Sequence, residues 1–125
     1  MSWKSFEELK SWQLSRSFTL KIYAFTNQIT FKDIDLQRQL RRATVSISSN
    51  IAEGFERNTD KEFIHFLFIA KGSAGEVRSQ LYLALDLEFI SDIQFQEMNE
   101  DITEISKLIS GLIKYLQRSN SSANL

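Results

Sequence analysis

Apolar residues recur along this chain at spacings of three and four, most regularly near its C-terminal end. There the apolar positions are Phe95, Met98, Ile102, Ile105, Ile109, Leu112 and Leu116. Such spacings bring side chains onto one face of an α-helix, which has about 3.6 residues per turn. The alternation is typical of knobs-into-holes packing between helices. This stretch is therefore predicted to be a helix packed in a bundle.

Two earlier stretches carry the same pattern. The first stripe comprises Leu36, Leu40, Ala43, Ile47 and Ile51, and the second comprises Phe63, Leu67, Ala70, Ala74, Val77, Leu81 and Leu85. Asp33 or Asp35 can cap the first of these helices. Thr59 with Glu62, and Ser91 with Gln94, fit the capping box, in which residues three apart exchange side-chain to backbone hydrogen bonds. We predict helix starts at all three places.

The first segment of the chain and the helix after Thr59 each carry a second apolar strip. In the first segment, one side is formed by Phe6, Leu9, Leu20 and Tyr23, and the other by Leu14, Phe18, Ile22 and Phe25. A monomeric four-helix bundle needs one apolar stripe per helix. We therefore predict burial between subunits for Phe18, Ile22, Phe25, Ile64, Phe68 and Tyr82. The alternative is that some of these side chains widen the core of the chain or contact the loop at Phe31.

Breakers of helices are scarce, because proline is absent and glycine occurs only four times. An all-α fold is the prediction, with residues 1–118 as a single domain and the polar residues 119–125 as a loose tail. Gly72 and Gly75 lie inside a predicted helix, where each costs about 1 kcal/mol relative to alanine. We expect close packing of another backbone to offset that cost.

No catalytic, cofactor or metal site is evident in the sequence. The chain has no cysteine, and its one histidine, His65, forms with Glu62 only half of the Glu-x-x-His pattern of di-iron bundles. No phosphate-binding loop, nucleophile motif or small-molecule substrate site is recognisable. The longest nearly uninterrupted apolar run, from Phe63 to Ala70, contains His65 and is far shorter than the roughly 20 residues of a membrane span. We predict a non-enzymatic protein in the cytoplasm.

Three arginines, Arg38, Arg41 and Arg42, fall on the face of their helix opposite the apolar stripe. They are predicted to form one cationic patch. One hypothesis is structural pairing with the acidic last helix or with Glu53 and Glu56, since the 15 basic and 16 acidic residues nearly balance. The other hypothesis is binding of RNA phosphates, which a ring of subunits would reinforce by repeating the patch.

Polar residues also flank the apolar stripe of this helix. Ser46, Ser49 and Asn50 are placed where a buried polar network could fix which helices face each other. Solvent-facing hydroxyl groups are the plainer alternative.

A specific motif runs through the same helix and into the next. It comprises Gln39, Leu40, Arg41, Arg42, Ala43, Ser46, Ile47, Asn50, Ile51, Ala52, Glu53 and Gly54, followed by Gly72, Ser73 and Glu76. On these residues the chain resembles the proteins encoded within intervening sequences of bacterial 23S ribosomal RNA genes. The resemblance extends from about Phe6 to Leu116.

The resemblance implies an antiparallel, up-down-up-down four-helix bundle that assembles into a ring-shaped homopentamer. A related branch is the accessory protein of diversity-generating retroelements, which works with a reverse transcriptase and RNA. That branch is strongly basic, whereas this chain has a net charge of -1. We therefore expect the chain to be closer to the intervening-sequence branch, with binding or scaffolding as its role and RNA as an alternative partner.

Overall fold

A computed structural model describes the backbone of residues 3–123 and the side chains of residues 3–119. After a short 3-10 helix at Phe6–Glu8, four α-helices follow: α1 at Lys10–Thr26, α2 at Ile34–Phe55, α3 at Asp60–Asp86 and α4 at Asp92–Ala123. Over this range the fold is all-α, as predicted. The backbone of α4 runs to Ala123, into the residues predicted as a loose tail. Residues 124 and 125 lie outside the described range.

Within the chain, each of the four helices packs against two neighbouring helices. α2 contacts α1 and α3, and α4 contacts α3 and α1, while the diagonal pairs do not approach each other over the described residues. The predicted stripes of α2 and α4 are confirmed, with Ile47, Ile51, Ile102 and Ile109 fully buried. The described helices include none with the length and apolar character that a bilayer span requires.

The predicted caps explain where three of the helices begin. Asp33 accepts a hydrogen bond from the Leu36 amide, which caps α2. At α4, the Ser91 amide donates to Gln94 Oε1 over 3.0 Å, and the Gln94 amide donates to Ser91 Oγ over 3.1 Å. The full box predicted there is confirmed.

The box at α3 is only half formed. The Glu62 amide donates to Thr59 Oγ1 as predicted. The Glu62 carboxylate, however, accepts from the Thr59 hydroxyl at 3.4 Å rather than from the Thr59 amide.

The inward face of α1 differs from the prediction. Leu20 and Tyr23 were expected in the core, but they are exposed. The core face of α1 is instead Ser11, Ser15, Phe18, Ile22 and Thr26. The hydroxyl groups of Ser15 and Thr26 are compatible with burial because they donate back to the helix, Ser15 Oγ to the Ser11 carbonyl and Thr26 Oγ1 to the Ile22 carbonyl.

This change of face corrects the predicted subunit interface. Phe18 and Ile22 are buried in the core of their own chain, so they cannot form an exposed patch. Phe25 and Ile64 are partly buried against the same core. Of the six predicted residues, only Phe68 and Tyr82 are exposed.

The glycine that allows close packing is Gly54, not Gly72 or Gly75. A Cβ atom at Gly54 would lie 2.7 Å from the Phe66 Cβ atom and 3.0 Å from Phe63 Cδ1, so only glycine fits against α3. A Cβ atom at Gly72 or Gly75 would meet nothing within 4 Å. Both of these α3 glycines are exposed.

Candidate interaction site on α2 and α3

A polar cleft lies between α2 and α3. Its volume is about 270 Å³, and its walls are formed by Gln39, Arg42, Ala43, Ser46, Ser73 and Glu76. The apolar stripes of both helices point into the core, so the cleft occupies their shared outer edge. All six residues belong to the motif described above, which the structure therefore gathers in one place.

Hydrogen bonds close the bottom of this cleft. The hydroxyl oxygens of Ser46 and Ser73 are 2.9 Å apart. Asn50 Nδ2 donates to the Ser46 carbonyl over 2.8 Å and to Ser46 Oγ over 2.9 Å. Ser46 and Asn50 are thus hydrogen-bonded to each other, with Ser73 as a third member, but the network is only partly buried rather than buried as the hypothesis had it. Ser49, which the hypothesis included, is exposed and takes no part.

The three arginines do not form one patch. Arg41 turns towards α1, where Nε donates to Thr26 Oγ1 over 2.9 Å and the guanidinium lies 4.4 Å from the centroid of the Tyr23 ring. Arg38 and Arg42 are exposed. Arg41 therefore links α2 to α1, whereas Arg38 and Arg42 remain on the surface.

The predicted pairing of these arginines with carboxylates is absent from the described part of the chain. The ion pairs there join Lys21 to Glu97 and Asp101, and Arg57 to Glu53. Glu53 is thus paired over 3.7 Å with Arg57, which lies just past the end of α2. Sequence reasoning could not foresee the contact of Arg41, because Tyr23 and Thr26 belong to another helix.

One outer face of α3 carries exposed apolar and small side chains. It consists of His65, Phe68, Gly72, Gly75, Ser79 and Tyr82, which recur at spacings of three and four and so share one face. We call it the α3 outer face. Phe68 and Tyr82 are 50% and 48% exposed. The two glycines between them leave an open trough with an aromatic ring at each end.

The neighbouring side chains extend this surface. Ile69 and Leu83 are exposed beside the α3 outer face, and the Tyr82 ring lies 4.8 Å from that of Phe95 on α4. With Phe68 and Tyr82, these residues give α3 four large exposed apolar side chains on one side. Together they form a larger apolar patch than the single scattered apolar residues that are normal on a protein surface. The sequence identified Phe68 and Tyr82, but not the open glycines between them.

His65 and Tyr82 are the titratable side chains of the α3 outer face. His65 is exposed, with its ring edge-on to Phe66. No group of three or more potential metal ligands occurs among the described residues. On the opposite side of the bundle, the pKa of Lys21 is raised by hydrogen bonds to Asp101 and Glu97 against a smaller opposing effect of burial.

Comparisons with known proteins agree with the motif. A family model described as 23S rRNA-intervening sequence protein matches residues 7–111. The chain is also similar to a crystal structure of a protein with unknown function from the S23 ribosomal protein family of Bacteroides thetaiotaomicron, with 31% identity and a TM-score of 0.77. That match covers 83% of this chain and 98% of the other. Among curated proteins, none matches.

Proposed function

Because the chain belongs to the 23S rRNA-intervening sequence protein family, we propose that it is a non-enzymatic, self-associating binding or scaffolding protein of the cytoplasm. The observation that carries this proposal is the α3 outer face, where Phe68 and Tyr82 flank two open glycines. Apolar side chains around a trough without side chains allow another helix to approach closely. The partner that we propose is a second copy of the chain.

The proposal includes an antiparallel, up-down-up-down bundle. Ser46 lies beside Ser73, and Gly54 lies against Phe63 and Phe66. Residues later in α2 therefore contact residues earlier in α3, as in an antiparallel pair. Trp3 contacts Tyr115, whereas Lys21 contacts Asp101, which supports the same opposition for α1 and α4. This topology directs the α3 outer face away from the core along its whole length.

The assembly that we propose is a ring, with the pentamer implied by the family resemblance as its form. A ring requires each subunit to contact its neighbour through two different surfaces. The α3 outer face supplies one of them. Burial of Phe68 and Tyr82 in every contact of the ring would remove most of this exposed apolar surface from water.

The test is a Phe68→Asp variant, whose mass in solution is measured by light scattering after size-exclusion chromatography. A charge placed in a buried apolar contact should release monomers. The matched control is Ile93→Asp, which adds the same charge at an exposed isoleucine on α4, 79% exposed. The proposal is wrong if both variants keep the mass of the unmodified protein while retaining their helical circular dichroism.

A second candidate function is RNA binding, alone or beside a reverse transcriptase partner. The observation that favours it is the exposure of Arg38 and Arg42 without a carboxylate partner in the described part of the chain. Guanidinium groups bind phosphates through two parallel hydrogen bonds. In a ring, these arginines would recur around the assembly and strengthen the local field.

This second function predicts salt-sensitive binding of single-stranded RNA, measured by fluorescence anisotropy. Changing Arg38 and Arg42 together to glutamate should abolish binding. Arg41 is left unchanged because it links α2 to α1. The control variant is Arg118→Glu on α4, which is also exposed. Equal loss of binding in the control would indicate a general charge effect and would contradict a site on α2.

A further inference from the structure

A second cavity lies on the other side of the bundle, between the start of α1 and the later part of α4. Its volume is about 470 Å³, and its lining includes Trp3, Ser11, Lys107, Gly111 and Tyr115. Sites for small ligands usually have volumes of roughly 300–1,000 Å³. We propose that this cavity binds a small amphipathic carboxylate, an organic acid with an apolar body.

The first α1 turn supplies hydrogen-bond donors for the anionic end of such a ligand. The residue at the helix cap is Leu9, which has no side-chain oxygen, and no acidic residue lies in the first turn. The nearby Glu8 carboxylate is already bound by the amides of Lys4 and Ser5. The backbone N–H groups at this helix end, with the positive end of the helix dipole, are therefore available to an anion.

A buried hydroxyl group indicates a ligand independently. Ser11 lines the cavity and is only 4% exposed, yet its Oγ atom has no hydrogen-bond partner among the described residues. A buried polar group without a partner is costly, and native proteins rarely leave one. In contrast, the buried hydroxyl groups of Ser15 and Thr26 on the same helix face donate to carbonyls. A carboxylate bound at the helix end would give Ser11 its missing acceptor.

Charge and shape agree with this assignment. Lys10 and Lys107 both line the cavity, one on each helix. The apolar part of the lining comes from Leu9, Leu108 and Leu112, with Trp3 and Tyr115 in edge contact at 5.6 Å. Gly111 has nothing within 4 Å of the place its Cβ atom would occupy. The cavity thus combines two lysine side chains and the backbone N–H groups of the first α1 turn with apolar lining residues and open space beside Gly111.

The test is isothermal titration calorimetry of the full chain with decanoate below its micellar concentration. Decyltrimethylammonium carries the same apolar body with the opposite charge, and decanol carries no charge. We expect saturable binding of decanoate, with both analogues weaker by about tenfold or more, because charge-assisted hydrogen bonds are lost. No saturable heat, or equal affinity for all three probes, would overturn the proposal.

Two variants locate the binding. Gly111→Leu fills the cavity and improves helix propensity, so it should fold well and lose decanoate binding. Ser11→Ala removes only the unpartnered hydroxyl and should weaken binding several-fold without loss of stability. Unchanged affinity in Gly111→Leu would place decanoate elsewhere and refute the site. A change of oligomer mass in Gly111→Leu would show that a second copy occupies the cavity instead, which also refutes it.

Discussion

The contact between α2 and α3 differs from the contact between α1 and α4 in how tightly the helices are joined. Gly54 allows α3 to approach closely, and the Ser46 and Ser73 hydroxyl groups meet at the shared edge. Between α1 and α4, two cavities remain, one of about 470 Å³ near Gly111 and one of about 100 Å³ beside Lys21. We call the α2–α3 contact closed, because its cleft of about 270 Å³ is confined to the outer edge of the two helices. We call the α1–α4 contact open, because its cavities adjoin Ser11, Gly111 and Phe18.

The largest effect is expected from removing an aromatic side chain at the open contact. Phe18 is 2% exposed and lines the small cavity with Leu14 and Ile105. Phe18→Ala should lower the free energy of unfolding by about 3–5 kcal/mol, since the existing cavity would grow. Leu20→Ala, two residues away on the exposed side, should change it by less than about 0.5 kcal/mol. Urea denaturation followed by circular dichroism, at one protein concentration, measures both.

The next effect concerns the closed contact. Gly54→Ala should lower the free energy of unfolding by about 1–3 kcal/mol, because the added methyl group must displace Phe66 or α3 itself. Gly111→Ala is the matched control, since its Cβ atom has open space and alanine favours the helix by up to about 1 kcal/mol. Opposite signs in thermal or urea unfolding are expected. A neutral Gly54→Ala would show that the two contacts are equally tolerant.

A smaller effect is expected from the polar network. Ser46→Ala removes the partner shared by Asn50 and Ser73, which should cost about 1 kcal/mol of stability. Ser49→Ala, at an exposed position on the same helix, should be neutral. A double-mutant cycle with Ser73→Ala measures the coupling directly. Additive effects of the two substitutions would mean that the hydroxyl contact does not join the helices.

The smallest effect is expected at the ion pairs of Lys21, which bridge α1 and α4. Lys21 Nζ lies 2.8 Å from Asp101 and 3.3 Å from Glu97. Lys21→Met should cost less than about 1 kcal/mol at neutral pH, because the groups are partly exposed and salt screens them. Lys114→Met, at an exposed lysine of α4, serves as the control.

The pH dependence of this pair has a defined sign. The pKa of Lys21 is raised in the folded protein by its hydrogen bonds to Asp101 and Glu97. A raised lysine pKa gives stability that is fully present below the unfolded pKa and is lost as pH rises through the folded pKa. Above neutral pH, the difference in stability between the unmodified protein and Lys21→Met should therefore shrink only in strongly alkaline solution. A difference already lost in mildly alkaline solution would contradict this origin.

The features of the fold that depend on residues close together in the sequence could be predicted. Asp33, Thr59 and Ser91 mark helix starts through bonds to residues three positions away. The inward face of α1 could not be predicted, because both of its strips contain large apolar residues and the core face also includes Ser15 and Thr26. Which strip turns inward is decided by the neighbouring helices.

Less of the candidate site than of the fold could be predicted from the sequence. The motif identified Gln39, Arg42, Ser46, Ser73 and Glu76, but their shared cleft depends on the register of α3 against α2. Close packing was predicted for Gly72 and Gly75 rather than for Gly54, because a helical pattern does not show which glycine faces another helix. Arg41 likewise was assigned to a patch, whereas its partners lie on α1.

The α3 outer face is proposed to join copies of this chain. Light scattering of the unmodified protein beside Gly72→Leu tests this, since leucine fills the trough and also favours the helix, leaving the fold intact. We expect a mass several times that of one chain for the unmodified protein, five times for the proposed pentamer, and a monomer for Gly72→Leu. A monomeric unmodified protein, or an unchanged assembly in Gly72→Leu, would contradict it.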